Sequence, residues 1–287
     1  MDYFFAKIGA SCVGSRVSKI WAWGCLLSAG ICYFPSSSYI KVPCLSVKQE
    51  THNSKVLTFG LPDGVSLNLP VSACIMMQGV DEDGEEAAKP YNPITPNSQL
   101  GSFSLLVKQY EEGTISKFAG NIKAGDQVGF CQFGGNVKPW RYPFNKKKIT
   151  MVAVGTGITP MYQALYPLLK TPGDQTEVRL IYGNNTTQDI MLKKEIDAMA
   201  ASSGGRLKVT YVVGKTANDT SGQGGEHGWI DAEKLKRLAF PPSSDSQMWI
   251  CGTPGFYNSM AGSRMDPLES DSILAKLGYT QDMIWRS

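Results

Sequence analysis

Histidine is almost missing from this chain: its 287 residues hold two, His52 and His227, and neither has a carboxylate or a second ligand at useful spacing. Paired cysteines are missing as well. The seven cysteines are odd in number, irregularly spaced and never arranged as C-x-x-C, which argues against a disulfide framework and against a zinc or iron–sulfur site. Reduced surroundings are the natural reading for the folded part. Charge of one sign is scarce too. The net charge is +3, spread along the sequence, so the concentrated basic face of a nucleic-acid binder is not expected. The apolar run from Ile20 to Phe34 stops about five residues short of the ~20 that span a bilayer comfortably. What is present suffices for folding, because 42% hydrophobic content over this length supports two ordinary domains and one targeting segment.

Residues 1–38 differ in kind from the rest. Lys7, Arg16 and Lys19 stand against a single acid, Asp2, ahead of the uncharged run that holds Trp21, Trp23 and Tyr33. A basic, acid-poor leader with serines resembles an organellar transit sequence, while interfacial aromatics suit an uncleaved membrane anchor. Both readings stand. A core helix fits less well, since Gly24, Gly30 and Pro35 interrupt it.

From residue 39 to 144 the chain reads as short strands, at 39–42, 55–59, 72–77, 101–108 and 127–131, with turns at 62–64, 81–84 and 124–126. That pattern predicts an antiparallel barrel or sandwich. Past Asn145 the grammar becomes strand–helix alternation. Strands are expected at 149–154, 177–182, 207–213 and 248–251, and helices at 161–169, 189–201 and 231–238, the mark of a parallel sheet of βα units. The division is expected within 140–148, giving domains at 39–144 and 145–287. No internal repeat is visible, and 216–225 is the one low-complexity stretch.

Two loops carry the chemistry. The apolar run 148–154 empties into Gly155, Thr156, Gly157, Ile158, Thr159 and Pro160, and the run 248–251 ends at Cys251, Gly252, Thr253, Pro254 and Gly255. Glycines let a nucleotide approach the backbone, and a following helix offers free N–H groups to phosphate. Two such loops at strand C-termini imply one shared crevice, with Cys251 where the reaction would occur.

Further motifs join these in order. Lys89, Pro90, Tyr91, Asn92 and Pro93 match R-P-Y-[ST]-P, and Gly113, Thr114, Ile115 and Ser116 match G-x-x-S. With the two glycine loops and the segment 184–190, the chain resembles the NADH–cytochrome b5 reductase branch of the ferredoxin–NADP reductase superfamily from about residue 39 onward. The resemblance implies an antiparallel FAD-binding β-barrel followed by a parallel-sheet α/β nicotinamide-nucleotide-binding domain. It implies that the Tyr91 ring lies against the flavin, that Gly113 to Ser116 hold its diphosphate at the start of a short helix over 115–119, and that Gly155, Thr156, Gly157, Thr159 and Pro160 underlie the nicotinamide and its pyrophosphate. Cys251, with Gly252, Thr253 and Pro254 behind it, would align the nicotinamide and flavin rings, a positional role and not a nucleophilic one.

Three departures from the family pattern matter. Lys89 stands where the family has Arg, keeping the charge and losing the forked fit to pyrophosphate. Asn92 stands where the family has Ser or Thr, so its amide is expected to donate toward flavin N5. Gly214, followed by Lys215, occupies the place of the acid that favours NADH, so NADH use with tolerance of NADPH is expected. The function implied is transfer of hydride from NAD(P)H to FAD and of single electrons to a separate haem protein, cytochrome b5 foremost. Alternatives are a reductase for a ferredoxin, quinone or ferric chelate, and a non-catalytic dinucleotide-binding sensor. Lys146, Lys147 and Lys148, near Arg141, are a candidate docking cluster for an acidic haem partner, or simply a solvated boundary. Trp285 is expected either over the flavin or packed under the sheet. A membrane-associated monomer is expected, at the mitochondrial outer membrane or intermembrane space ahead of the endoplasmic reticulum.

Overall fold

A computed structural model describes residues 26–28, 31–33, 39–80, 83–111, 113–132, 142–214 and 225–287. Most of the leader and Arg141 and Lys215 therefore lie outside the described residues. Of the apolar run 20–34, β1 (Leu26–Ser28) and β2 (Ile31–Tyr33) pair antiparallel as a small hairpin. No helix among the described residues is long and apolar enough to cross a membrane.

The first layer is an antiparallel sheet of β3 (Ile40–Thr51), β4 (Ser54–Gly60), β5 (Ile75–Val80), β6 (Glu86–Tyr91), β7 (Ser102–Lys108) and β8 (Gln127–Gln132). The order is β6-β5-β8-β3-β4-β7, and an antiparallel bridge from Pro93 to Leu105 joins the two edges into a barrel. Alternate residues fill it: Val42, Leu57, Phe59, Ile75, Met77, Leu105 and Phe130 are fully buried, with Phe59, Phe103 and Phe130 in mutual contact. The helix α1 (Thr114–Asn121) follows β7 and turns Ile115 and Ala119 into this core. Two departures from expectation appear here. The strand expected from residue 72 starts at Ile75, because Ser72 takes a left-handed φ of 64°. The flavin-type motif is itself on a strand, β6, whose polar Glu86 and Lys89 hide the alternation.

The second layer is a parallel sheet of β9 (Lys148–Val154), β10 (Glu177–Asn184), β11 (Leu207–Val213), β12 (Glu226–His227), β13 (Ser246–Cys251) and β14 (Ile284–Arg286). Its order is β12-β11-β10-β9-β13-β14, so the chain steps outward from β9 and then returns to its other side at β13. The space between β9 and β13 is the topological switch point, where open α/β sheets bind ligands. The apolar runs of β9 and β13 follow from burial on both faces. On one face lie α2 (Ile158–Lys170) and α3 (Lys193–Ser202), and on the other α4 (Ala232–Leu238), α5 (Pro254–Ala261) and α6 (Ile273–Lys276). The helix expected over 189–201 is two pieces, a 3-10 turn at Thr187–Asp189 and α3. Ile94 and Leu106 from the barrel side are buried in the same cluster as Met151, Tyr162 and Trp249, so the two layers share a core.

Candidate active site

Each loop at the switch point has a local cause. Val154 ends β9, Gly155 turns at φ +54°, and the 3-10 turn Gly155–Gly157 leads directly into α2, which begins with no side-chain cap and no acid in its first turn. The Ile158 N–H turns back onto Gly155 O and Thr156 O and Pro160 brings no N–H, so the glycine turn closes onto the start of the helix. β13 ends at Cys251, and Thr253 caps α5 by accepting from Phe256 N at 3.3 Å, with Pro254 in the first turn. The loops touch backbone to backbone. A Cβ placed on Gly157 would lie 2.2 Å from the Cys251 carbonyl oxygen and 3.0 Å from Gly252 N. Gly252 is equally confined, by Val154 and the Phe256 ring. Thr159 donates to Thr156 O at 3.0 Å and steadies the turn.

On the barrel side, Tyr91 closes β6 half-buried against the barrel core, and burial foremost, then Tyr110, pushes its phenol up to about 12. Lys89 and Pro90 are exposed beside it. Gly113 precedes α1 without capping it, and the buried Ser116 accepts from Tyr110 N and donates to Gly113 O, both at 3.3 Å. Ser116 therefore ties the Tyr110 backbone to the first turn of α1.

Asn92 joins the two sides, and not in the way the resemblance implied. Its Nδ2 donates to Ser72 O at 2.8 Å and Ala73 O at 3.2 Å and lies 3.2 Å from Cys74 Sγ, so both amide hydrogens are committed and none is left for a flavin N5. Its Oδ1 lies 3.4 Å from Thr159 Oγ1. Thr159 is two residues past Gly157, which rests on Cys251. The Tyr91 surface and the Cys251 loop are consequently neighbours across one crevice. Ser72 strengthens the join, with its N–H on Gln163 Oε1 and its hydroxyl 3.2 Å from Pro160 O.

Two thiols face this join. Burial raises the Cys74 thiol to about 11 against the opposing pull of Arg264, and the neighbouring Cys251 adds to the rise. Burial dominates at Cys251 as well and outweighs its interactions with Tyr257 and Arg264, leaving the thiol above its ordinary range. A raised pKa keeps the thiol neutral through neutral pH, which suits contact and not nucleophilic attack. We expect NADH-driven flavin reduction to vary by less than twofold between about pH 6.5 and 8.5, an interval over which an ordinary thiol would pass from almost wholly neutral to about half ionised. Iodoacetamide labelling of Cys251 should be slow over the same interval. A rise in rate tracking thiolate formation would contradict a positional role.

Two readings left open by the sequence are narrowed. Lys146, Lys147 and Lys148 sit at the entry of β9, the opposite end from Cys251, with Lys146 donating to Ser244 O at 2.7 Å and Lys147 paired to Asp245 at 2.9 Å. They form a boundary clamp away from the crevice. Trp285 is buried on β14 opposite Trp249 and packs on it at 4.6 Å, under the sheet. Sequence reasoning passed over Ser72, Cys74 and Gln163. Nothing in a short apolar strand or a helix interior signals that these residues cross between domains.

The residues fit a flavin and a nicotinamide dinucleotide. The space above Gly155 and Gly255 is open at their Cβ positions, whereas Gly157 and Gly252 are closed by backbone and side chain, as a cradle with one free face requires.

Comparison with known proteins agrees. The model of the oxidoreductase FAD-binding domain matches residues 41–138, and that of the oxidoreductase NAD-binding domain matches residues 151–261. NADH-cytochrome b5 reductase 2 of Saccharomyces cerevisiae is 32% identical over 86% of this chain and 82% of its own length. Its counterpart in Kluyveromyces lactis is 30% identical over 97% and 94%. Among solved structures, the cytochrome b5 reductase domain of Ulva prolifera nitrate reductase superposes with a TM-score of 0.76 at 26% identity, covering 89% of this chain and 99% of that domain. The two matched domains, their order and this coverage establish that the chain belongs to the NADH-cytochrome b5 reductase family.

Proposed function

We propose that this chain takes two electrons as hydride from NADH and hands them singly to cytochrome b5, using FAD as the intermediary. The observation that carries this reading is the closed contact between Gly157 and Cys251, tied through Thr159 and Asn92 to the motif that ends in Tyr91. FAD supplies, when bound, the capacity to accept a hydride and release electrons one at a time. The chain supplies position. Tyr91 offers an amphipathic ring, Lys89 a charge for the pyrophosphate, and Gly113, Thr114, Ile115 and Ser116 the N-cap position and first turn of α1. Gly155, Thr156, Gly157, Thr159 and Pro160, with Gly252, Thr253 and Pro254, hold the nicotinamide nucleotide, and the neutral Cys251 thiol sets its distance from the flavin. Asn92 acts by fixing the two loops.

The domain division is placed at 144/145. The acceptor docks at the crevice mouth, where Lys89 and Arg264 are exposed, and the reductase works as a monomer at the mitochondrial outer membrane or in the intermembrane space, its first 38 residues serving as a membrane anchor or a leader. Titration of purified protein with NADH under anaerobic conditions tests the reading. A yellow chromophore should bleach, and added oxidised cytochrome b5 should restore it. Colourless protein that still binds nicotinamide nucleotide would overturn it.

Donor choice follows from the end of β11. Gly214 carries no acid to repel a 2′-phosphate, and a Cβ there would press on the Asn185 carbonyl at 2.9 Å. The expected result is use of NADH with a preference over NADPH below about a thousandfold in kcat/KM, on the order of 4 kcal/mol. Steady-state kinetics with both donors checks it.

A further inference from the structure

A second set of contacts crosses between the sheets where the chain leaves β10. Lys108, at the end of β7, donates to Asp189 Oδ1 at 2.9 Å, and the two side chains are 12% and 8% exposed. The other oxygen of Asp189 accepts from Thr186 N at 3.1 Å and Thr186 Oγ1 at 2.8 Å, closing a capping box over the turn Thr187–Asp189. Burial pushes the Asp189 carboxyl up, but the bonds from Lys108 and Thr186 outweigh it and hold the group below its usual range, so it is ionised at neutral pH.

Three residues on, Leu192 stands at φ +57° ahead of α3, with no side chain of its own to cap that helix. Its N–H donates instead to Glu50 Oε1 at 2.7 Å, and Glu50 belongs to β3 of the barrel. A carboxylate of one domain thus caps a helix of the other, while a cation of the first neutralises a carboxylate of the second. Beneath these contacts the Tyr182 hydroxyl and the Asn184 amide are buried with no well-formed hydrogen bond, the hydroxyl lying near Asn184 and the Met191 backbone.

We propose that Glu50 and Lys108 form an interdomain clasp that holds residues 184–192 in register with the flavin-side motif, making them positioning residues for the nicotinamide nucleotide. The inference rests on the function proposed above for the crevice. That segment leaves β10 beside the Gly155 turn, since Gly183 pairs with Val154, and so borders the nucleotide loops. Charged groups of the barrel then set the geometry of a nucleotide wall that the barrel does not itself contain.

Glu50→Ala, Glu50→Gln and Asp189→Asn test the clasp by hydrogen exchange of peptides covering 186–196 and by anaerobic flavin reduction with NADH. Glu50→Ala, a change in the barrel, should speed exchange of the Leu192 region about tenfold or more, through easier local opening. Glu50→Ala and Asp189→Asn should slow reduction by NADH about fivefold to tenfold, with the flavin spectrum and its photoreduction unchanged. Glu50→Gln keeps an acceptor and should stay near the wild type. Exchange and reduction within twofold of wild type in Glu50→Ala would overturn the clasp. Should Asp189→Asn fail to fold, Lys108→Met read by the same two measurements replaces it. Absence of NADH bleaching in the wild type would instead defeat the functional reading, and the exchange measurement would still decide the clasp.

Discussion

Alanine at Gly157 should lower the rate of flavin reduction by NADH about 100-fold or more, the penalty expected when reacting groups are displaced by roughly 1 Å. The added carbon would sit 2.2 Å from the Cys251 carbonyl oxygen and 2.6 Å from its carbon, and both are backbone atoms that no rotamer change can move. The β9 and β13 loops must part, and with them the nicotinamide loop and the thiol beside it. Gly155→Ala is the informative control. Its φ of +54° strains alanine by roughly 1–2 kcal/mol, yet nothing lies within 4 Å of the new carbon, so hydride transfer should fall much less. Stopped-flow absorbance at matched flavin content checks both variants. Equal rates for Gly157→Ala and wild type would show that the two loops are not mechanically joined.

The largest loss of stability is expected from Trp249→Ala, about 3–5 kcal/mol by the usual cost of emptying a fully buried aromatic site. Trp249 is buried at the centre of β13, with Phe144 edge-on at 4.9 Å and Trp285 at 4.6 Å, and its indole N–H donates to Gln247 at 2.9 Å. One side chain thereby joins the segment entering β9, the strand below Cys251 and the last strand of the sheet. Urea unfolding followed by far-UV dichroism should show the lower midpoint. A loss under 1 kcal/mol would mean that the space refills from Phe144 and Trp285.

Much of the architecture was legible because its causes are local. Gly155 and Gly157 behind a doubly buried strand, and Thr253 and Pro254 opening α5, announce both nucleotide loops before any coordinates are seen. The family motifs carried the barrel side. Illegible were the residues whose function lies in long-range contact. Asn92 reads as a donor to flavin until its hydrogens are found on Ser72 and Ala73, and Glu50 reads as an ordinary polar strand residue until Leu192 is found on it. The three lysines at 146–148 allowed two readings in the sequence, a docking cluster and a solvated boundary. Their charge is conspicuous in the sequence, but strand direction places it at the foot of the sheet, with Lys147 already paired to Asp245. Ser72 could not have been singled out, since a left-handed serine leaves no compositional trace.

Ile94 and Leu106 reach from the barrel side into the cluster that supports β9 and β10. The two halves are therefore not interchangeable modules. A fragment beginning near residue 145 would bare an apolar hollow where those side chains belong and would tend to self-associate. Grafting this nucleotide half onto a foreign flavin half would require matching that plug as well as the linker.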